Sequence, residues 1–128
     1  MPADTWLYLH FEGKIKDAQF EEYKKFINDI RESASKAGSD FWCPASDGER
    51  IIHNEAFANE ANFKRHMKEW VPTISERLWQ IAEINKIRVS GPVTEEQKAI
   101  LERFGAELEF YDNYWSILII SNTAVPLE

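Results

Sequence analysis

Two histidines and one glutamate are the residues of this sequence best suited to acid–base chemistry on a small molecule. His10 lies in one short run of alternating apolar and polar residues, and His53 and Glu55 lie two positions apart in another. Imidazole exchanges a proton near neutral pH, since its unperturbed pKa is about 6.5. We therefore predict that His10 or His53 serves as a general base. The metal alternative is less favoured, because no histidine on a predicted helix stands four positions from a second ligand as in helical zinc sites, and no metal site is predicted.

Aromatic side chains near these groups are predicted to form the walls of a substrate cavity. Trp6 and Tyr8 alternate with apolar residues in the first run, and Trp42 precedes the second. Their rings can stack on a planar molecule, while the Tyr8 hydroxyl can donate a hydrogen bond to it. Glu55 shares a strand face with His53 and is placed in the same cavity.

Each of these residues also has a purely structural interpretation. His10 can be a solvent-exposed or hydrogen-bonded residue at the end of a strand, and His53 and Glu55 can form a hydrogen bond that only holds the strand. His66, on a helical segment, can pack against the sheet beside Glu55, and the structural role is the one we favour for it. The sequence leaves both interpretations open.

Length and composition restrict the class of protein. With 128 residues, 44% of them hydrophobic, the chain predicts a single domain over residues 1–128. The net charge is −7 and the basic residues are scattered among carboxylates, which disfavours nucleic acid as a partner. The lone Cys43 cannot form an intrachain disulfide, and no apolar run approaches the ~20 residues that span a bilayer. We expect a cytoplasmic protein with no membrane partner.

Hydrophobic periodicity and capping residues predict the order of the elements. Asp17 and Asn59 are plausible helix N-caps, and Pro72 should kink or interrupt the second helix. In chain order the predicted elements are a strand over residues 6–11, a helix over 17–36, a hairpin of strands over 41–43 and 50–57, a helix over 60–82, a strand over 84–89, a short helix capped by Thr94, and strands over 108–111 and 115–120.

The order β-α-β-β-α-β predicts an α+β fold with the ferredoxin-like split motif. Its core covers residues 5–90, and a C-terminal helix and strands extend it over residues 91–126. An antiparallel sheet of this kind carries its helices on one face and leaves the other bare. Trp6, Tyr8 and His10 are predicted on the bare face, where such large side chains indicate a partner interface or a ligand cavity.

The chain resembles the antibiotic biosynthesis monooxygenase group of dimeric α/β-barrel proteins. The resemblance rests on the short first strand, the hairpin, the segment with Glu55, Phe57 and His66, and the tail from Val89 to Tyr111. It implies a homodimer in which two sheets close a barrel. Some members oxygenate polycyclic phenols or quinols without metal or flavin, and other relatives degrade haem.

The resemblance therefore implies a monooxygenase that needs no cofactor and acts on a small aromatic phenol or quinol. Such an enzyme requires a base and an apolar pocket, because the substrate itself supplies the electrons. The alternative is a non-catalytic dimeric module that binds a small hydrophobic ligand or serves assembly. Aromatic walls alone satisfy the alternative, whereas catalysis needs a polar group inside a closed pocket.

Overall fold

A computed structural model describes residues 6–111 of the chain. The strand predicted over residues 115–120, with Trp115 and Ile117 as interface residues, lies outside the described residues. The elements are β1 (Leu7–Ile15), α1 (Phe20–Ser35), β2 (Phe41–Ser46), β3 (Arg50–Phe57), α2 (Glu60–Phe63), a π-helical segment (Lys64–Trp70), α3 (Val71–Ile81), β4 (Ala82–Ser90), α4 (Glu95–Glu102) and β5 (Glu107–Tyr111). No helix among residues 6–111 is long and apolar enough to cross a membrane.

The strands form one five-stranded sheet in the order β2-β3-β1-β4-β5. The first four are paired antiparallel, and β5 is added parallel to β4 at the edge. The order β2-β3-β1-β4 is that of the β-α-β-β-α-β motif. The predicted α+β, ferredoxin-like fold with a C-terminal helix and strand is thereby confirmed.

The helices cover one face of the sheet because apolar residues alternate along each strand. On β1 the inward residues Leu7, Leu9 and Phe11 are buried, and they form one core cluster with residues of the π-helical segment, β4 and α4. A second cluster joins Ile15 and Ile51 to α1 and the end of α3. The polar residues between these positions lie on the opposite, outer face.

The first strand is longer than predicted, and the first helix begins later. β1 continues to Ile15 through a bulge between Glu12 and Gly13, where a Cβ on Gly13 would lie 2.1 Å from the Glu83 carbonyl oxygen. The predicted cap at Asp17 is wrong: α1 begins at Phe20 without a side-chain cap. The longer strand takes up the intervening residues, and Asp17 falls in the turn that follows.

The second helix changes its geometry instead of ending, which confirms the predicted interruption near Pro72. Asn59 caps α2 by accepting a hydrogen bond from the Asn62 backbone N–H. The chain then runs through seven π-helical residues and returns to α-helix at Val71. Pro72 occupies the first turn of α3, where its missing N–H is tolerated. The apolar residues Phe63 and Met67 are buried on this unit.

Replacing Phe63 by alanine is expected to lower the free energy of unfolding by about 3–5 kcal/mol. Phe63 is 0% exposed, and its ring packs edge-on against Phe57 at 5.3 Å between centroids, so truncation loses burial and leaves a cavity. Urea unfolding measures the change. Lys25→Ala, on the exposed surface of α1, is the control. A cost below about 1 kcal/mol for Phe63→Ala would contradict the described packing.

Candidate active site

The strand β3 places His53 and Glu55 on the face of the sheet that the helices cover. They alternate with Ile52 and Asn54, and they share their face with the buried residues Ile51 and Phe57. Two polar side chains thus point into an otherwise apolar layer. Burying such groups is costly unless they find polar partners, so their partners indicate what the site can do.

One oxygen of Glu55 joins two histidines. His53 donates a hydrogen bond from Nε2 to Glu55 Oε1 over 2.7 Å, and His66 donates from its own Nε2 to the same oxygen over 3.1 Å. The sequence interpretation that His53 bonds to Glu55 and that His66 packs beside it is confirmed. Nδ1 of His53 has no hydrogen-bond partner among residues 6–111.

The π-helical segment and the end of α1 hold His66 in place. The wider helical turn directs His66 and Trp70 to the same side, with their ring centroids 4.7 Å apart. Nδ1 of His66 lies 3.2 Å from the Ala37 carbonyl oxygen. Gly38, at φ +93, allows the chain to turn there, and a Cβ on it would lie 2.5 Å from the Asn62 carbonyl oxygen. The tight approach brings the Ala37 carbonyl to His66.

Glu55 is buried and ionised. Burial raises the pKa of its carboxyl group, but the charges and hydrogen bonds of His53 and His66 outweigh that effect and lower the pKa to about 2. Its second oxygen, Oε2, is buried and has no hydrogen-bond partner among the described residues. An unpartnered buried carboxylate oxygen costs about 1–3 kcal/mol or more, so it marks a position where a water or ligand donor is expected.

Glu55 and His53 form the polar end of a cavity between the sheet and the helices. The cavity has an inner volume of about 70 Å³ and, with its open mouth, encloses about 580 Å³. Since one water needs about 10–15 Å³ on the inner measure, the space suits several waters or one small ring. Apart from the two polar residues, the lining is mainly aromatic and aliphatic: Phe11, Tyr23, Phe26, Ile27, Ile30, Trp42, Ile51, Met67, Trp70, Val71, Ile74, Leu78, Ile84 and Phe104.

The predicted site residues fall into two groups on opposite faces of the sheet. Trp42, His53 and Glu55 line the cavity, and Trp42 meets the His53 ring edge-on at 5.3 Å. Tyr8 and His10 lie on the outer face, in the first half of β1. Trp6, directly before β1, does not line the cavity either. The structure thus does not bring the residues together in one cavity, and a catalytic part for His10 stays a prediction.

The outer face carries a polar network instead of an enclosed pocket. Tyr8 and His10 both contact Asn54 Oδ1, at 2.9 and 2.8 Å, and His10 Nε2 lies 3.1 Å from Glu12. Arg88 bridges Glu12 to Glu109. Hydrogen bonds from Lys86 and Arg88 lower the pKa of Glu109. These groups already have hydrogen-bond or ionic partners within the network.

Sequence reasoning missed most of the cavity wall, which comes from the helices. Tyr23, Phe26 and Ile30 come from α1, and Phe104 follows α4. The available signal was His53 itself, a polar residue two positions from the apolar residue Ile51 on an inward face. Among residues 6–111, no three ligand-type side chains come together as a metal site.

Comparison with known proteins identifies the fold. No protein-family model matches the sequence. No curated protein matches it either. Among solved structures, MupZ from Pseudomonas fluorescens has a TM-score of 0.70 at 16% identity, over 94% of this chain and 98% of that one.

Two further solved structures are similar over about two thirds of this chain. A conserved protein of unknown function from Bacteroides thetaiotaomicron, described as a possible oxidoreductase, has a TM-score of 0.56 at 12% identity, over 68% of this chain and 97% of its own. A candidate antibiotic biosynthesis monooxygenase from Chloroflexus aurantiacus has a TM-score of 0.50 at 18% identity, over 70% and 94%. At these identities the likenesses establish the ferredoxin-like fold alone.

Proposed function

We propose that the protein oxygenates a small phenol or quinol held in the cavity, with His53 as general base and Glu55 as the group that orients both His53 and the substrate. The observation that carries the proposal is the unpartnered Oε2 of Glu55, a buried acceptor at the polar end of an apolar cavity. Such an acceptor selects ligands that bring a hydrogen-bond donor. A phenol brings one hydroxyl donor and a flat apolar ring.

The surroundings of His53 suit a planar ring. Phe11 and Trp42 stand against the His53 ring at 5.6 and 5.3 Å between centroids, so the imidazole is held by aromatic contacts. Because Nε2 donates to Glu55, the free Nδ1 is the proton acceptor of the neutral ring. A phenol hydroxyl beside these groups can donate to either acceptor, and its ring extends among apolar side chains.

The reaction balances with oxygen as the sole co-reactant. His53 takes the hydroxyl proton, and the phenolate passes an electron to O2; the two radicals then join in a carbon–oxygen bond para to the original oxygen. His53 returns its proton to the peroxide. Cleavage of the O–O bond and loss of the ring hydrogen as a proton release water and leave a quinone. One phenol and one O2 thus give one quinone and one water, and the protein supplies the base, the orientation and the exclusion of bulk water.

The names of two structural neighbours support oxygen chemistry over other acid–base reactions. One is a candidate antibiotic biosynthesis monooxygenase and another a possible oxidoreductase. Their identities to this chain are 18% and 12%, so they support the type of reaction that we propose but assign no role to any residue.

Oxygen-electrode assays on metal-stripped protein test the proposal. A panel of phenols that carry a hydrogen para to the hydroxyl should include at least one compound that raises oxygen uptake above its uncatalysed rate and forms a quinone containing one atom of the added O2. The matched methyl ethers, which lack the hydroxyl donor, should be inert. No uptake with any phenol, from protein that is folded, would favour the ligand-binding or assembly module instead.

We also propose that the protein is a homodimer joined through the outer face of the sheet. Tyr8 lies on that face together with Phe41 and Ile52, two large apolar side chains that are 48% and 45% exposed. Sedimentation at micromolar concentration should give about twice the chain mass of 15.0 kDa. Ile52→Asp should weaken association, because a buried charge would lack a partner, whereas Lys25→Asp on exposed α1 should not. A sedimentation mass equal to that of one chain would contradict the proposed dimer.

A further inference from the structure

His66 is the most deeply buried polar side chain of the site, and both of its ring nitrogens face acceptors. Its exposure is 0%. Nδ1 contacts the Ala37 carbonyl oxygen, and Nε2 contacts Glu55 Oε1. Phe57 and Trp70 pack against the ring at 5.4 and 4.7 Å between centroids, so water has no place beside it.

The two acceptors fix the number of hydrogens on the ring. A backbone carbonyl can only accept, and an ionised carboxylate can only accept. Neutral imidazole has a single N–H, so it would set one lone pair against an oxygen lone pair inside the protein. Only the imidazolium, with a hydrogen on each nitrogen, satisfies both contacts. The buried ring therefore requires two protons as long as Glu55 is ionised.

His10 shows why this conclusion is particular to His66. Its Nδ1 and Nε2 also contact oxygens, those of Asn54 and Glu12. The Asn54 amide can turn to present its NH2 group, which donates to a neutral ring. His10 is also partly exposed to water. The contacts of His10 thus permit a neutral tautomer, whereas those of His66 do not.

We propose that His66 is a positioning residue, which carries a proton on both ring nitrogens in the folded protein and whose charge keeps Glu55 an ionised acceptor for His53. Among the residues that the structure describes, the one charged group that contacts His66 is Glu55, which also contacts the titratable His53. The Ala37 carbonyl and the rings of Phe57 and Trp70 are the other groups packed around His66. One negative and one positive charge then balance inside the core, and His53 stays neutral with its hydrogen on Nε2.

The catalytic meaning of this arrangement rests on the proposed function, because it leaves Nδ1 of His53 as the open base. The protonation pattern itself does not, since it is a property of the free protein. Because the positive charge of His66 keeps Glu55 ionised, Glu55 does not compete with His53 for the proton of the substrate. His66 would thus act on the reaction through Glu55 and without contact to the substrate.

Nitrogen-15 NMR of the full-length chain without ligand tests the proposal at neutral pH. Long-range proton–nitrogen spectra distinguish imidazolium from each neutral tautomer for all three histidines. We expect two protonated nitrogens on His66 and a single Nε2–H tautomer for His53. In Glu55→Gln the new amide can donate to His66, so His66 should lose its Nε2 proton and His53 should no longer favour one tautomer.

A neutral single-tautomer ring for His66 in the unchanged protein would overturn the proposal. His66→Gln provides a second readout, because its amide can donate to both acceptors without carrying charge. There the carboxyl carbon of Glu55 should shift toward the value of a protonated acid, while a merely structural His66 would leave it unchanged. If the predicted protonation is found but no phenol is oxygenated, the inference holds and the proposed activity fails.

Discussion

Replacing His53 by alanine is expected to lower the catalysed rate of oxygen uptake by ~10²–10⁴-fold, the usual contribution of a general base. The reason is that Nδ1 of His53 is the open acceptor of the cavity, while Nε2 is bound to Glu55. Steady-state assays with the best phenol of the panel measure the effect. Circular dichroism and sedimentation of the same variant establish that fold and assembly are kept.

His10→Ala tests whether His10, the other base predicted from the sequence, carries the reaction instead of His53. His10 lies on the outer face among Asn54 and Glu12, away from the cavity. If the base is His53, the large loss of rate follows His53→Ala and not His10→Ala. The reverse pattern would place the chemistry on the outer face and would contradict the cavity account.

Replacing Glu55 by alanine is expected to lower the free energy of unfolding by about 3–5 kcal/mol at neutral pH. The carboxylate is 4% exposed and accepts from two histidines, so its removal leaves both rings without their acceptor in the core. Urea unfolding at fixed pH measures the loss. Glu102→Ala, on the exposed surface of α4, is the control and should cost less than about 0.5 kcal/mol.

The pH dependence of that difference gives an independent check. The folded pKa of Glu55 is about 2, below its ordinary value of 4.5, so the ionised group stabilises the fold above pH 4.5 and the contribution is lost as the pH falls toward 2. The shift corresponds to roughly 3 kcal/mol. The stability gap between the unchanged protein and Glu55→Ala should therefore narrow over this range. A gap that is constant from about pH 5 to about pH 2 would mean that Glu55 is not held ionised.

The fold could be predicted because its signals are local. Alternation in β1 and β3, helical spacing in α1, and the caps Asn59 and Thr94 each depend on neighbours in sequence. Thr94 forms the full capping box with Gln97. The resemblance to a ferredoxin-like family was thus confirmed as a fold, since element order and strand pairing follow from those patterns.

The site was predicted only in part because its shape depends on long-range packing. The spacing of His53 and Glu55 indicated a shared face, but not that helices would enclose it. Tyr8 and His10 were placed correctly on the bare face, yet grouped with cavity residues on the other side. Pro72 indicated a break in the second helix, but nothing in the sequence indicated the seven π-helical residues before it, which direct His66 toward Glu55.

A crystal structure of the protein with a bound hydroquinone tests the central claim most directly. We expect the ring to lie between the sheet and the helices, near Trp42, with its hydroxyl oxygen within hydrogen-bond distance of Glu55 Oε2 or His53 Nδ1. A ligand bound instead on the outer face against Tyr8 and His10, with the cavity filled only by water, would contradict it.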